Sequence, residues 1–392
     1  MIVVAGAGIG GLTAALALAA RGFRIALLDQ AETLAETGAG IQLSPNATRV
    51  LIGLGLRERL LPVVVAPEAI VIRTERGGVI GRMPLGAAAT ARFGAPYWII
   101  HRGDLQAALL GAVQARSDIA LSLGTAVDGF AAQGDDVTVR ALHKFRGTET
   151  QGAALVGADG LWSRVRTLLG ATDAPIFAGR TAWRAVVPAE AVAPDIRAPV
   201  VNLWLGRGRH LVHYPVKGGA MINIVAIAAD SAPSEGWSTA AGPDEVLTRF
   251  ARADWAAPAR DLLARPTQWL KWPLYDRPPL ARWGAGAVTL LGDAAHPMLP
   301  FLAQGAAMAI EDAAVLAAAL AATPQDPAAA MRRYEAARAP RTGAVWRAAR
   351  RNDAVYHLAG PAAALRNLGM HAVGLLGGLT RHYDWIYGWR AE

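Results

Sequence analysis

The chain has no cysteine. That excludes disulfides, thiolate metal sites and a cysteine nucleophile, and it leaves no thiol to attach a cofactor covalently. Charge is scarce too: charged residues make up 18% and hydrophobic ones 53%, a balance that excludes disorder and points to a globular chain. Its 392 residues leave room for two to three domains with a large core. No apolar run reaches about 18 residues, and the longest candidate, "AAVLAAALAA", is too short to span a bilayer. The opening "MIVVAGAGIGG" runs straight into a strand, with no room for a signal peptide. A soluble, cytoplasmic protein without stable membrane insertion is expected. Histidines are scattered with no paired-ligand spacing, so no metal is expected. No repeat is evident, and no stretch is low in complexity beyond an alanine bias.

The formal net charge is +8, nearly all of it arginine. Two readings apply. The arginines attract anions such as dinucleotide phosphates or a carboxylated substrate, or they are spread over the solvated faces of an Ala-, Arg- and Gly-rich chain. They form no dense stripe with interleaved aromatics, so nucleic acid is not an expected partner.

The N-terminus carries the first informative pattern. "MIVVAGAGIGGLTAALALAARGFRIALLDQ" reads as an apolar strand, a glycine turn, an alanine-rich helix ending near Gly22, and a second strand. Gly6, Gly8 and Gly11 fit G-x-G-x-x-G: the first for the tight turn, the second for close approach of a pyrophosphate, the third for helix–sheet packing. The helix N-terminus offers unpaired N–H groups to the phosphates. Asp29 ends the second strand, where an acid hydrogen-bonds ribose hydroxyls and disfavours a 2′-phosphate. The ligand implied is NAD or FAD.

Later segments separate the two. Residues 155 to 166, "LVGADGLWSRVR", run from a strand through Asp159-Gly160 into a helix start with Ser163, Arg164 and Arg166. Residues 290 to 316, "LLGDAAHPMLPFLAQGAAMAIEDAAVL", place Asp293 and His296 in an apolar stretch ahead of a helix that begins with small residues. Together with the glycine motif, these resemble the single-component flavin-dependent aromatic hydroxylases, the group of para-hydroxybenzoate and salicylate hydroxylases. "GAGIQLSPNATRVL" (38 to 51), "HRGDLQAAL" (101 to 109) and the C-terminal "YDWIYGW" resemble the salicylate hydroxylase-like branch. The resemblance spans nearly the whole chain.

It implies non-covalent FAD, with NADH or NADPH as a transient co-substrate and O₂ and a small aromatic molecule as further partners. Asp293, expected to be buried, would accept a hydrogen bond from a ribityl hydroxyl. Pro297 and Pro300 are expected to keep residues 296 to 303 extended. The next helix would start near Gln304 or Gly305, where Gly305 and Ala306 let the flavin ring come close and unpaired N–H groups face its N1/C2 edge. Arg102 would contact the FAD phosphate or ribityl region, and Asp159 would lie near both dinucleotides. Gln42 stands on the loop flanking the ring, or is simply a polar loop residue. His296 touches the flavin side of the site, or is a capping or core histidine. Pro300 replaces a polar residue of some family members, which leaves open how substrate is held from that side.

In "RHLVHYPV", strand alternation puts His210, Val212 and Tyr214 on one face and Leu211 and His213 on the other. His210 and Tyr214 are about 13 Å apart at the backbone, at ~3.3 Å per residue, so they could bracket one aromatic ring. Histidine accepts protons near neutral pH, and a phenol that loses its proton is activated at its ortho and para carbons. The family places a histidine and a tyrosine at this spacing beside the substrate. The alternative is two polar residues on an exposed edge strand; His213 is the lesser candidate.

The expected fold is α/β: a Rossmann-like FAD-binding domain with an inserted β-sheet substrate domain and C-terminal helices. The FAD-binding part is assigned to residues 1–70, 100–180 and 272–325, the substrate part to 71–99 and 181–271. Residues 326–392 form helical segments, expected to break near Pro340 and Pro361. The implied function is a monooxygenase that hydroxylates an electron-rich ring through a flavin C4a-hydroperoxide, as a monomer or homodimer. Two alternatives stand beside it: a hydroxylase of a membrane-borne quinone precursor, hinted at by "MHAVGLLGGL" (370 to 379), and a non-catalytic FAD-binding protein.

Overall fold

The computed structural model describes residues 1–34, 39–133, 136–144, 146–231, 238–250, 255–375 and 377–391. Gly38, the first residue of the 38–51 motif, and Leu376 within 370–379 lie outside them. The short apolar strands form a five-stranded sheet, ordered 288–290, 154–157, 2–5, 25–28, 119–122. Every pairing in it is parallel. These strands are mostly apolar because both faces of the sheet are covered. Helices cover one face; a three-stranded antiparallel sheet, Thr125–Gln133, Asp136–His143 and Arg146–Gly152, covers the other, and its Val137, Val139 and Ala141 join the same core. The alanine-rich helix Ile9–Ala19 crosses from the first strand to the second and packs on the helix Gly305–Ala322. The two approach closely at Gly10, where a Cβ would sit 2.9 Å from Leu291 Cδ2 and 3.2 Å from Ala309 Cβ.

A second, eight-stranded sheet is mixed, ordered 239–241, 269–276, 176–188, 221–229, 209–216, 200–206, 69–74, 79–84. Only the pairing of Val200–Gly206 with Ala69–Thr74 is parallel. Its strands alternate. One face carries Trp183, Leu211, Ile224 and Trp269 into a core with the helices Pro243–Phe250 and Ala257–Leu263. The other face carries His210, Val212 and Tyr214 toward the parallel sheet and the C-terminal helices. Arg209–Val216 is an interior strand, hydrogen-bonded to neighbours on both sides. The edge-strand alternative for His210 and Tyr214 is therefore wrong.

Three local expectations need correction. Residues 300–302 form a 3₁₀ turn, with Ala303 left-handed at φ 53°; proline's fixed φ suits the first position of such a turn as well as it suits extended chain. Pro340 does not break the C-terminal segment, since one helix runs Pro327–Tyr356 through it. The reason lies in packing, because Arg338 and Arg341, on either side of the proline, are both anchored to Glu311 on the neighbouring helix. "AAVLAAALAA" is the second half of Gly305–Ala322, which at 18 residues is long and apolar enough to cross a membrane by length and composition. Here it is a core helix: Ile310, Leu316 and Leu320 are buried, and Glu311 and Asp312 pair with Arg338.

Candidate active site

The glycine turn is held from below. Gly6 has φ +102°, and a Cβ on it would lie 2.4 Å from the Ala158 carbonyl oxygen; a Cβ on Gly11 would lie 1.8 Å from the Gly6 carbonyl oxygen. Only glycine fits at either position. A Cβ on Gly8 would meet nothing within 4 Å, because Gly8 opens onto a groove of about 330 Å³. Asp29 accepts hydrogen bonds from the Ala7 N–H (2.5 Å) and the Ala31 N–H (2.8 Å). It thus braces the glycine loop, and each carboxylate oxygen keeps a second lone pair for a ligand.

Asp159 is engaged within its own segment. Its carboxylate accepts from Ser163 Oγ (2.5 Å) and the Val165 N–H (3.0 Å), while Ser163 caps the helix Arg164–Leu168 by accepting from the Arg166 N–H. Burial pushes the Asp159 carboxyl up, against the pull of these donors. Its neighbour Gly160 lines the groove. Arg166, 1% exposed, donates to the carbonyls of Ala294 (3.1 Å) and Ala295 (3.3 Å) and pairs with Asp173. The GADG and GDAAH segments are in this way tied together by a residue whose role the sequence did not disclose.

Asp293 is not buried as expected; its side chain is accessible and faces the groove. The walls around it still raise its pKa by desolvation, offset by the nearby His296 and Arg102 charges. The buried acid of this region is Asp312. It accepts from the Gly292 N–H (3.0 Å) and pairs with His296 Nε2 (2.6 Å) and Arg338 Nε (2.6 Å). Burial alone would raise its carboxyl, but the His296 and Arg338 charges and hydrogen bonds outweigh it and hold the pKa down to about 2. His296 also packs its ring on Trp283, 5.2 Å away. Of its two readings, the core histidine is the one its contacts fit.

The helix Gly305–Ala322 begins beside Asp293. No side chain caps it and no acid occupies its first turn, so its first N–H groups and their partial positive charge face the groove lined by Gly305 and Ala306. Gln304 points away and binds Ser44 Oγ (2.9 Å) and Asn46 (3.1 Å). Arg102 starts the helix Arg102–Gln114 at the same groove. Gln42 accepts from the Tyr97 hydroxyl at 2.7 Å.

His210 and Tyr214, 2% and 3% exposed, line the groove together. Beyond them opens a larger cavity of about 980 Å³, which shares Gln42, His210, Val212, Pro300 and Ala303 with the groove. His210 therefore stands at the junction of the two. Its Nδ1 lies 2.9 Å from His357 Nε2, and Phe301 and Tyr356 meet its ring edge-on at 5.5 and 5.7 Å. Its Nε2 has no hydrogen-bond partner among the described residues. Burial, with the charges of His357 and Arg180, holds the His210 pKa well below the usual histidine value. Burial likewise pushes the Tyr214 phenol up, against the pull of Arg184 and Gln42. His213 points to the opposite side, tilted on Trp204 at 6.2 Å, and burial beside Arg73 pushes its pKa down to about 3. It does not join the site.

The cavity is mostly apolar, and part of its wall comes from residues that sequence reading left unassigned. Asn352, Tyr356, Tyr383 and Tyr387 reach it from the C-terminal helices and Tyr97 from the segment before Trp98. Tyr387 meets Phe93 and Tyr97 edge-on and stacks on Tyr383. "YDWIYGW" was the available signal: aromatics at i and i+4 on a segment otherwise without a core to face. Among the described residues no cluster of three His, Asp or Glu could hold a metal ion.

Comparison with known proteins agrees with this geometry. The FAD binding domain family model matches residues 1–349. The chain is 39% identical to 3-hydroxybenzoate 6-hydroxylase 1 of Aquipseudomonas alcaligenes, covering 99% of this chain and 97% of that enzyme. It is 40% identical to 3-amino-4-hydroxybenzoate 2-monooxygenase of Streptomyces cremeus, covering 99% and 94%. Among solved structures, HpxO of Klebsiella pneumoniae complexed with FAD and uric acid superposes with a TM-score of 0.84 at 26% identity, covering 97% and 95%. A salicylate hydroxylase substrate complex does so at 0.83 and 25%, covering 100% and 95%. The chain belongs to the FAD binding domain family and is an FAD-dependent aromatic monooxygenase.

Proposed function

We propose that this enzyme hydroxylates a small phenolic acid whose ring lies beside His210, with FAD in the groove and NAD(P)H and O₂ as co-substrates in the cytoplasm. The observation that carries the reading is the position of His210: neutral, at the junction of groove and cavity, with one ring nitrogen tied and the other free. The two relatives of 39% and 40% identity are named for hydroxybenzoates, so phenolic acids are the first substrates to test; a membrane-borne precursor gains no support from them.

The groove fits FAD on its own features. Gly8 leaves room that a Cβ would fill, two uncapped helix N-termini and Arg102 offer positive charge to phosphates and to the anionic edge of a reduced ring, and Asp293 presents a carboxylate to a hydroxyl. Asp29 retains lone pairs for a ribose. Gln42 stands where groove and cavity meet, and Gly305 and Ala306 present a surface without bulky side chains. Asp159 acts through the shape of its turn, which backs the glycine loop. When bound, FAD supplies the electron transfer and oxygen activation that no side chain can.

The residues of the chain manage the substrate. His210 Nε2 takes the phenolic proton as the ring becomes a nucleophile. Tyr214, kept protonated by burial, donates a hydrogen bond at the other end of the ring. Phe301, Tyr356, Tyr383 and Tyr387 keep water from the reacting carbon. Residues 1–70, 100–180 and 272–325 are assigned to the flavin-binding part and 71–99 and 181–271 to the substrate part, bounds across which the strands Ala69–Thr74, Ile176–Pro188 and Trp269–Asp276 of the eight-stranded sheet run. Asn352, Tyr356, Tyr383 and Tyr387 from the C-terminal helices wall the cavity. The test is to purify the protein, record the flavin spectrum, and screen phenolic acids for faster NADH or NADPH oxidation with the product identified. Flavin-bound protein that turns over no phenolic acid would overturn the substrate class.

A further inference from the structure

His210 does not stand alone. Its Nδ1 meets His357 Nε2 at 2.9 Å, and His357 Nδ1 in turn faces two acceptors, the Asp353 carbonyl at 2.7 Å and Asp353 Oδ1 at 2.9 Å. Asp353 is ion-paired to Arg180. Hydrogen-bond logic settles the protons along this chain. A nitrogen facing two oxygens that can only accept must carry the hydrogen, so neutral His357 is the Nδ1–H tautomer and its Nε2 can only accept. His210 must then donate from Nδ1, which leaves the lone pair of Nε2 pointing at the substrate. Burial of both rings, 2% and 9% exposed, means that no solvent competes for these bonds.

We propose that His357, backed by Asp353 and Arg180, is a positioning residue that fixes the basic tautomer of His210 and takes up the proton that His210 removes from the substrate. As the phenol O–H bond breaks, an N–H bond forms at His210 Nε2; the Nδ1 proton of His210 passes to His357 Nε2, and the resulting imidazolium lies against the Asp353 carboxylate. His210 stays neutral throughout. The proton returns along the same path to the phenolate oxygen of the product before release, so none is gained or lost. A buried base flanked by the Arg180 charge would otherwise hold a proton poorly, and the relay places that positive charge next to a carboxylate instead. The ring contacts from Phe301 and Tyr356 keep the His210 plane aligned with both partners.

The inference rests on His210 being the base, and the experiment separates the two claims. Holoenzyme labelled with ¹⁵N-histidine is examined by NMR, His210 being assigned from the signal lost in His210→Ala. The account expects a protonated Nδ1 and a bare Nε2. His357→Gln keeps an acceptor and should keep that tautomer, but it cannot take the proton, so coupled hydroxylation falls about 10-fold while substrate KM and the flavin spectrum stay near wild type. His357→Leu should also lose the fixed tautomer and fall roughly 10²-fold. A bare Nδ1 on His210, or wild-type coupling in both His357 variants while His210→Ala is impaired, overturns the relay alone. Wild-type coupling in His210→Ala overturns the proposed base itself.

Discussion

Arg166 holds Ala294: its Nη1 donates to that residue's carbonyl at 3.1 Å, and to the next carbonyl, that of Ala295, at 3.3 Å. One buried guanidinium thereby fixes the loop that carries Asp293 against the turn that backs the glycine motif. Replacing Arg166 by Met should leave these carbonyls unpaired at a cost of roughly 1–3 kcal/mol. The expected outcome is a lower midpoint in urea and weaker FAD retention together. Unchanged stability with unchanged flavin content would show that the loop holds itself.

Asp293→Ala tests the groove directly. A charge-assisted hydrogen bond to a ligand hydroxyl is worth about 1.5–3 kcal/mol, so the dissociation constant for FAD should rise roughly 10- to 150-fold. Flavin fluorescence on titrating apoprotein reads this out. Equal affinity would remove Asp293 from cofactor binding.

Asp312 ties acid stability to the same region. Its folded-state pKa of about 2 lies below the ordinary carboxylate value near 3.9. A depressed carboxylate contributes stability that is fully present above its unfolded pKa and is lost as pH falls through the folded one. The window is therefore roughly pH 4 to 2, and the contribution about 2 kcal/mol. Unfolding free energy measured against pH should lose this component in Asp312→Asn, which leaves Arg338 and His296 buried with a neutral partner. Parallel acid limbs in the two proteins would contradict the pairing.

Tyr214→Phe removes one hydroxyl and keeps the ring against Gly40, where there is no space to spare: a Cβ on Gly40 would lie 2.5 Å from Tyr214 Cε2. The variant should fold normally and raise substrate KM about 3- to 10-fold, the equivalent of one buried hydrogen bond, with kcat nearly unchanged. A fall in kcat at constant KM would instead place Tyr214 in the chemistry.

What could be read from the sequence was local. Gly6, Gly8, Gly11 and Asp29 are contiguous signals with a fixed mechanical meaning, and the alternation of His210, Val212 and Tyr214 follows from the period of a strand. The start of the helix at Gly305 was legible from its prolines and small residues. Long-range partnerships were not. Glu311 and Asp312 drew no reading from the sequence because Arg338 and Arg341, which neutralise them, lie on the next helix. That same packing carries the helix through Pro340, which local propensity alone would have stopped. Asp293 was expected to be buried because its neighbours in sequence are apolar, yet its exposure is set by a groove formed by eight separate stretches of the chain. Tyr356, Tyr383 and Tyr387 join the site only because the C-terminal helices fold back over the sheet.

The central claim is that His210 takes the substrate proton, and the ratio of hydroxylated product to NAD(P)H oxidised in His210→Ala tests it most directly, with hydrogen peroxide measured in parallel. His210→Ala leaves the glycine turn, Arg102, Asp293 and the start of the Gly305–Ala322 helix unaltered in the groove, so the variant should bind FAD and still oxidise NAD(P)H in the presence of substrate. Hydroxylation should fall roughly 10²–10⁴-fold, with the missing oxygen recovered as peroxide. Product and NAD(P)H in the wild-type ratio would contradict the account.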